Sequence, residues 1–122
     1  MMPSNRNTSE VMERSVSLIR ERFIDTLGQK IDELDLMMTQ IEVSLDSDMT
    51  LSAAAKSMHR IVGVAGTLGF PELGNSARHA EASLARAASN LNDKRCVTEA
   101  IDAVEETVSI MDEIWTSARG GC

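Results

Sequence analysis

From Val16 onward, apolar residues recur at Val16, Ile19, Phe23, Leu27, Ile31, Leu34, Met38, Ile41 and Leu45, and every gap is three or four residues. Charges such as Arg20, Glu21, Asp25, Asp32 and Glu42 fall between them. That spacing collects the apolar positions on one stripe of an α-helix, and it does not fit a strand, whose side chains alternate with period two. Three shorter stripes follow with the same rhythm. The second holds Leu51, Ala55, Met58, Val62, Ala65 and Leu68, and the third holds Leu73, Ala77, Ala80, Leu84, Ala87 and Leu91. The fourth runs through Val97, Ile101, Val104, Val108, Met111 and Trp115.

The punctuation between stripes is that of short connections. Asp46-Ser47-Asp48 breaks the first pattern, and Thr50 suits the N-cap of the second helix. That helix should end around Gly69-Phe70, and Pro71 then fits the first turn of the third, where a missing N–H costs nothing. Asn90 to Asp93 form a turn. Gly28 interrupts the first stripe, so residues 9–45 form either one helix or a short extra N-terminal helix followed by a long one. With one Trp, two Phe and no Tyr, the core must be aliphatic. The reading is all-α, an antiparallel up-down four-helix bundle over residues 9–118, its long helices about 30–40 Å in span. Residues 1–8, polar and containing Pro3, are expected as a disordered lead-in, and residues 119–122 as a flexible tail.

Charge narrows the partners. A net charge of −7 repels phosphate backbones and anionic lipids, so neither nucleic acid nor a membrane surface is expected. No apolar run reaches the ~18 residues of a spanning helix, and no signal-peptide pattern opens the chain. Cys96 and Cys122 have no metal or redox spacing, which fits a cytoplasmic protein.

One stretch does not read as scaffold. Residues 58–70, Met-His-Arg-Ile-Val-Gly-Val-Ala-Gly-Thr-Leu-Gly-Phe, place Gly63, Gly66 and Gly69 within one helix, where an interior glycine costs roughly 1 kcal/mol relative to alanine. On a wheel with Ala55 at about 0° and the apolar stripe near 300°, His59 falls near 40°, Gly66 near 20° and Gly63 near 80°. Ser52 and Phe70 fall near 60°. The imidazole stands on the flank of the core face with bare backbone beside it, open to a large partner. The plainer readings are a solvated surface histidine and glycines that serve close helix packing; Gly69 also suits a helix C-terminus.

The third helix supplies a carboxylate. His59 lies eleven residues before Phe70 and Glu81 eleven after it, so a hairpin turning at Phe70 brings them to similar heights. Glu81 sits on the same side of its helix as Gly74, Arg78 and Ala85, and it could accept the Nδ1–H of His59, leaving Nε2 as the nucleophile. The plainer reading of Glu81 is a solvated charge. His79 lies about 160° from Glu81 and is read as a surface residue.

These residues resemble the histidine-containing phosphotransfer (HPt) domains of bacterial multistep phosphorelays. His59, Gly63, Ala65, Gly66, Thr67, Gly69 and Phe70 match that family's register, Leu73 continues it, and the similarity spans most of residues 15–91. Glu81 falls where the phosphotransfer domain of the chemotaxis kinase carries a Glu that bonds its His. The resemblance implies a free-standing phosphoryl carrier rather than an enzyme. It would accept phosphate on His59 from a receiver aspartyl phosphate or a sensor histidine kinase, and return it to another receiver aspartate. Ser52, Lys56, Gly63, Gly66 and Phe70 would dock the partner. A monomer is expected, with no cofactor of its own and Mg²⁺ held by the receiver. Val62 stands where the family usually has Lys, and Arg78 is the better substitute cation, because Arg60 points about 100° away from His59. The alternative is an HPt-like module that binds receivers or a kinase without carrying phosphate.

Other helical chemistries lack their residues. A di-iron bundle needs Glu-x-x-His, but Lys56 and Ser76 precede His59 and His79 by three. There is no Cys-x-x-Cys-His for haem, and no glycine precedes a Lys-Ser/Thr pair for a nucleotide.

Overall fold

The structure, a computed structural model, describes residues 4–43 and 47–120. Among them are four helices, α1 (Ser4–Glu42), α2 (Ser47–Ala65), α3 (Pro71–Ala88) and α4 (Lys94–Ala118), and no strand. Each packs against its neighbour in sequence, and α4 closes the ring against α1. This is an antiparallel four-helix bundle, and its core is aliphatic: Leu27, Leu34, Leu51, Met58, Ile61, Leu73, Leu84, Val104 and Met111 are fully buried.

The first helix resolves the alternative left open at Gly28 and departs from expectation in its start, its length and its exposure. It is unbroken through Gly28, because that glycine accommodates a ring rather than a bend: a Cβ there would lie 3.2 Å from the indole of Trp115. It starts at Ser4, so most of the expected lead-in is helical; residues 1–3 lie outside the described residues. Extending a formed helix adds one hydrogen bond per residue, and nothing in residues 4–8 breaks it. At 39 residues it is therefore about 58 Å long, well beyond the expected span. Its stripe is buried only from Phe23 onward, and Val16 and Ile19 stay exposed. Leu45 and Asp46 lie outside the described residues.

Helix α2 begins at Ser47, one turn ahead of the expected start. Asp48 occupies its first turn, where a carboxylate complements the helix dipole, and Thr50 is an interior, buried residue rather than the N-cap. Its buried face is Leu51, Ala54, Met58, Ile61, Ala65 and Leu68, with Ala55 and Val62 half-buried at the edge. The regular helix ends at Ala65, and the chain turns through 66–69. Phe70 N–H donates to Ala65 O at 2.8 Å and Gly69 N–H to Gly66 O at 3.4 Å, with Gly69 at φ +84°. This pair of bonds is the Schellman closure, which requires a residue without Cβ strain at its left-handed position. Gly66 and Gly69 are thus turn residues; of the three glycines only Gly63 is interior to the helix.

Pro71 then opens α3 as expected. Gly74 permits the close approach of α2 and α3, for a Cβ there would meet Ala65 Cβ at 3.5 Å. Helix α3 stops at Ala88, leaving Leu91 in the following turn and 46% exposed rather than on the third stripe. Asp93 caps α4 by accepting from Arg95 N–H at 2.9 Å. Within the core Thr107 donates to Ala103 O at 3.0 Å and receives the Ser76 hydroxyl at 2.8 Å, so its buried oxygen is satisfied. Helix α4 ends at Ala118; Gly121 and Cys122 lie outside the described residues. No helix among the described residues is long and apolar enough to cross a membrane.

Candidate functional site

Met58 is fully buried, and the next residue, a 100° step around α2, reaches solvent. His59 is accordingly 75% exposed at its side chain, while its Nδ1 lies 2.9 Å from Glu81 Oε2 on α3. Glu81 is one-third exposed, held in place by the buried Ala80 beside it and by Ser83 and Leu84 in the next turn. The α2–α3 turn at Phe70 thus brings the two to one height, as the eleven-residue spacing predicts. Glu81 accepts a proton that Nδ1 carries, and that tautomer leaves the Nε2 lone pair facing outward.

A shallow depression of about 400 Å³ lies beside the ring, lined by Ala55, Lys56, His59, Arg60 and Glu81. Its two cations are Lys56, one turn before the histidine, and Arg60, directly after it. Arg60 reaches the depression despite its position on the wheel, because a long flexible side chain sweeps across a neighbouring face. Arg78, the cation favoured from sequence, does not line it; its guanidinium donates to Asn75 Oδ1 at 3.4 Å on its own helix. Val62 is half-buried against the core and offers no charge. His79 is exposed and does not border the depression.

The glycines answer the packing question. No atom comes within 4 Å of a Cβ built at Gly63 or Gly66, so neither serves helix contact; both expose bare backbone one and two turns past His59. Ser52 is exposed two turns before it. Phe70 is less free than the wheel implies. Its ring packs at 6.0 Å from that of Phe23, tilted by 35°, and Arg20 lies 4.7 Å above it. It anchors α1 to the α2–α3 turn, at the far end of this face. The fit of an aromatic to a neighbouring helix leaves no trace in one helix's periodicity, so sequence could not separate these roles.

A helical bundle that turns one histidine outward and steadies it with a carboxylate is a recognisable class, a scaffold for chemistry on an imidazole rather than in a pocket. The model of the Hpt domain matches residues 19–110, well over half of the chain, and the protein belongs to that family. Hpt domains are phosphocarrier modules of phosphorelay signalling, working with receiver domains and kinases. Neither the curated proteins nor the solved structures give a match.

Proposed function

We propose that His59 is the phosphoacceptor of a carrier that moves phosphate between receiver domains, or from a sensor histidine kinase to a receiver. The single observation that carries this is the 2.9 Å contact of Nδ1 with Glu81 on a ring otherwise open to solvent. The outward Nε2 lone pair attacks the phosphorus of a receiver's aspartyl phosphate in line with the breaking bond. The bond from phosphorus to the aspartate oxygen cleaves, the carboxylate leaves with its electron pair, and Glu81 steadies the positive charge left on the ring. The reverse sequence passes phosphate to the next aspartate.

Such a transfer is mostly positioning and charge neutralisation. Lys56 and Arg60, the cations bordering the ring, are better placed than Arg78 to offset the phosphoryl charge. Ser52, Gly63 and Gly66 fit a docking face, since nothing protrudes there to hold a partner off, and Phe70 shapes its end. The chain acts as carrier and not as an enzyme, in the cytoplasm, and the Mg²⁺ of the transfer belongs to the receiver.

The test is transfer of label from a phosphorylated receiver to the purified protein. Wild type should be labelled and His59→Gln should not; label that persists on His59→Gln overturns the reading. Glu81→Gln should slow transfer by roughly tenfold, about 1.4 kcal/mol, in line with a hydrogen bond to a charged group at a half-open position. Val62 favours a second reading, a module that binds receivers without carrying phosphate. Receiver binding with no label on wild type would establish that reading.

A further inference from the structure

The first half of α1 runs past the end of the bundle with its apolar stripe uncovered. Val11, Met12, Val16, Leu18 and Ile19 are each 41–61% exposed, half of the large exposed apolar residues among those described. Met12, Val16, Ile19 and Phe23 lie within an arc of about 60° on the helix. The stripe does not stop where the bundle begins. Ile19 and Phe23 also line a groove of about 350 Å³ between α1 and α2, whose far wall is Ile61, Val64 and Leu68 and whose border carries Arg22, Lys30 and Arg60. An overhanging apolar ridge therefore runs directly into an apolar groove on the same molecule.

The geometry points to a second copy of this chain as the occupant, bound antiparallel about a two-fold axis near Ser17, each copy's ridge lying along the other's. The exposed Met12, Val16 and Ile19 are spaced four and three, the rhythm of a two-helix seam, and the seam ends at Phe23, which is buried against Phe70 in its own bundle. On one flank of that seam stand Glu13 and Arg20, seven residues apart, each immediately after a seam position, with Arg20 also 4.7 Å over the Phe70 ring of its own copy. An antiparallel pair sets Glu13 of one copy against Arg20 of the other, and does so twice by symmetry. A parallel pair would set Arg20 against Ser15 and give Glu13 no cation in register, and it would force the two bundles side by side. The antiparallel arrangement keeps them at opposite ends. His59 faces Glu81 on α3 while the groove faces α1, and the two sites share one residue, Arg60, on their common border.

Self-association of this kind replaces the monomer expected from sequence, and it stands independently of the phosphotransfer reading. The test is sedimentation equilibrium of the full chain from low micromolar to near-millimolar concentration. Wild type should be a concentration-dependent dimer, and Val16→Glu with Ile19→Glu should be monomeric with unchanged helical circular dichroism. Glu13→Arg alone and Arg20→Glu alone should each weaken the dimer roughly tenfold, since each turns two attractive pairs into repulsive ones. Mixing those two variants should restore a heterodimer of wild-type strength, an outcome that a general loss of folding would not produce. A monomeric wild type over the whole range overturns the inference. So does a dimer indifferent to the Val16 and Ile19 changes, a mixture that fails to pair, or a monomer whose ridge is covered only when a receiver domain is added.

Discussion

Gly28 in the middle of α1 and Gly63 in the last turn of α2 both lie inside helices and off the buried stripe, yet they are surrounded differently. The indole of Trp115 stands 3.2 Å from where a Cβ would lie at Gly28, and nothing stands within 4 Å at Gly63. The first glycine is a socket; Trp115 fills it and in turn carries Arg119 over its face at 4.4 Å. The second is bare backbone one turn beyond an exposed imidazole. A helix tolerates the lost propensity in both cases, but packing explains only one of them. At Gly63 no packing contact accounts for the glycine, and the docking face proposed beside His59 is the reading to test there.

The comparison breaks first at its packed member. Gly28→Leu must displace the indole and should destabilise the fold by about 3 kcal/mol, as overpacking of a close contact does, measured as a lower midpoint in denaturant. Gly63→Leu should leave that midpoint unchanged or higher and reduce transfer from a receiver at least tenfold. If Gly63→Leu transfers normally, the open backbone is not a docking surface. Thr107→Val, on the packed side, removes the partner of the Ser76 hydroxyl and should cost about 1 kcal/mol by the same denaturation measurement. Gly63→Ala should stabilise the isolated protein by roughly 0.5–1 kcal/mol, because the added methyl meets no neighbour and alanine favours the helix.

The smallest effect lies at the opposite end of the bundle and reports whether it is intact. The Cys96 thiol is pushed above its ordinary range, first by partial burial and then by the Asp93 carboxylate, which lies 3.6 Å away and accepts its S–H. A raised value means less thiolate near pH 8, so alkylation of Cys96 should run a few-fold slower in the folded protein than in denaturant. The difference should shrink as pH rises through the raised value. The sign for stability is the same: what the neutral thiol contributes is present below the ordinary thiol range and lost above it.

Much of the site was legible without coordinates. The equal spacing of His59 and Glu81 about Phe70 needs only a helix rise and a hairpin, and both follow from local pattern. Pro71 at the start of α3 and the turn that closes at Asp93 are readable for the same reason. Thr50 suits an N-cap by local preference, but Ser47 and Asp48 offer a helix start equally well, and local preference cannot rank adjacent caps. A wheel favours Arg78 over Arg60 because it fixes Cβ directions and says nothing of where a long side chain ends. Periodicity alone places the inner face of α2 slightly rotated, toward Ala55 and Val62, because small and β-branched residues fit the edge of a core as well as its centre.

By itself, then, the order of residues determined that four helices form, that they pair as hairpins, and that an imidazole and a carboxylate meet at one level. Those are consequences of periodicity and turn chemistry, which act over a few residues. Tertiary structure decided which glycine is filled and which is bare, which cations border the ring, that Phe70 anchors α1, and that the ridge of α1 overshoots its own bundle. Each depends on how one helix is rotated and shifted against another, a relation set by the packing of whole side chains and by no single segment.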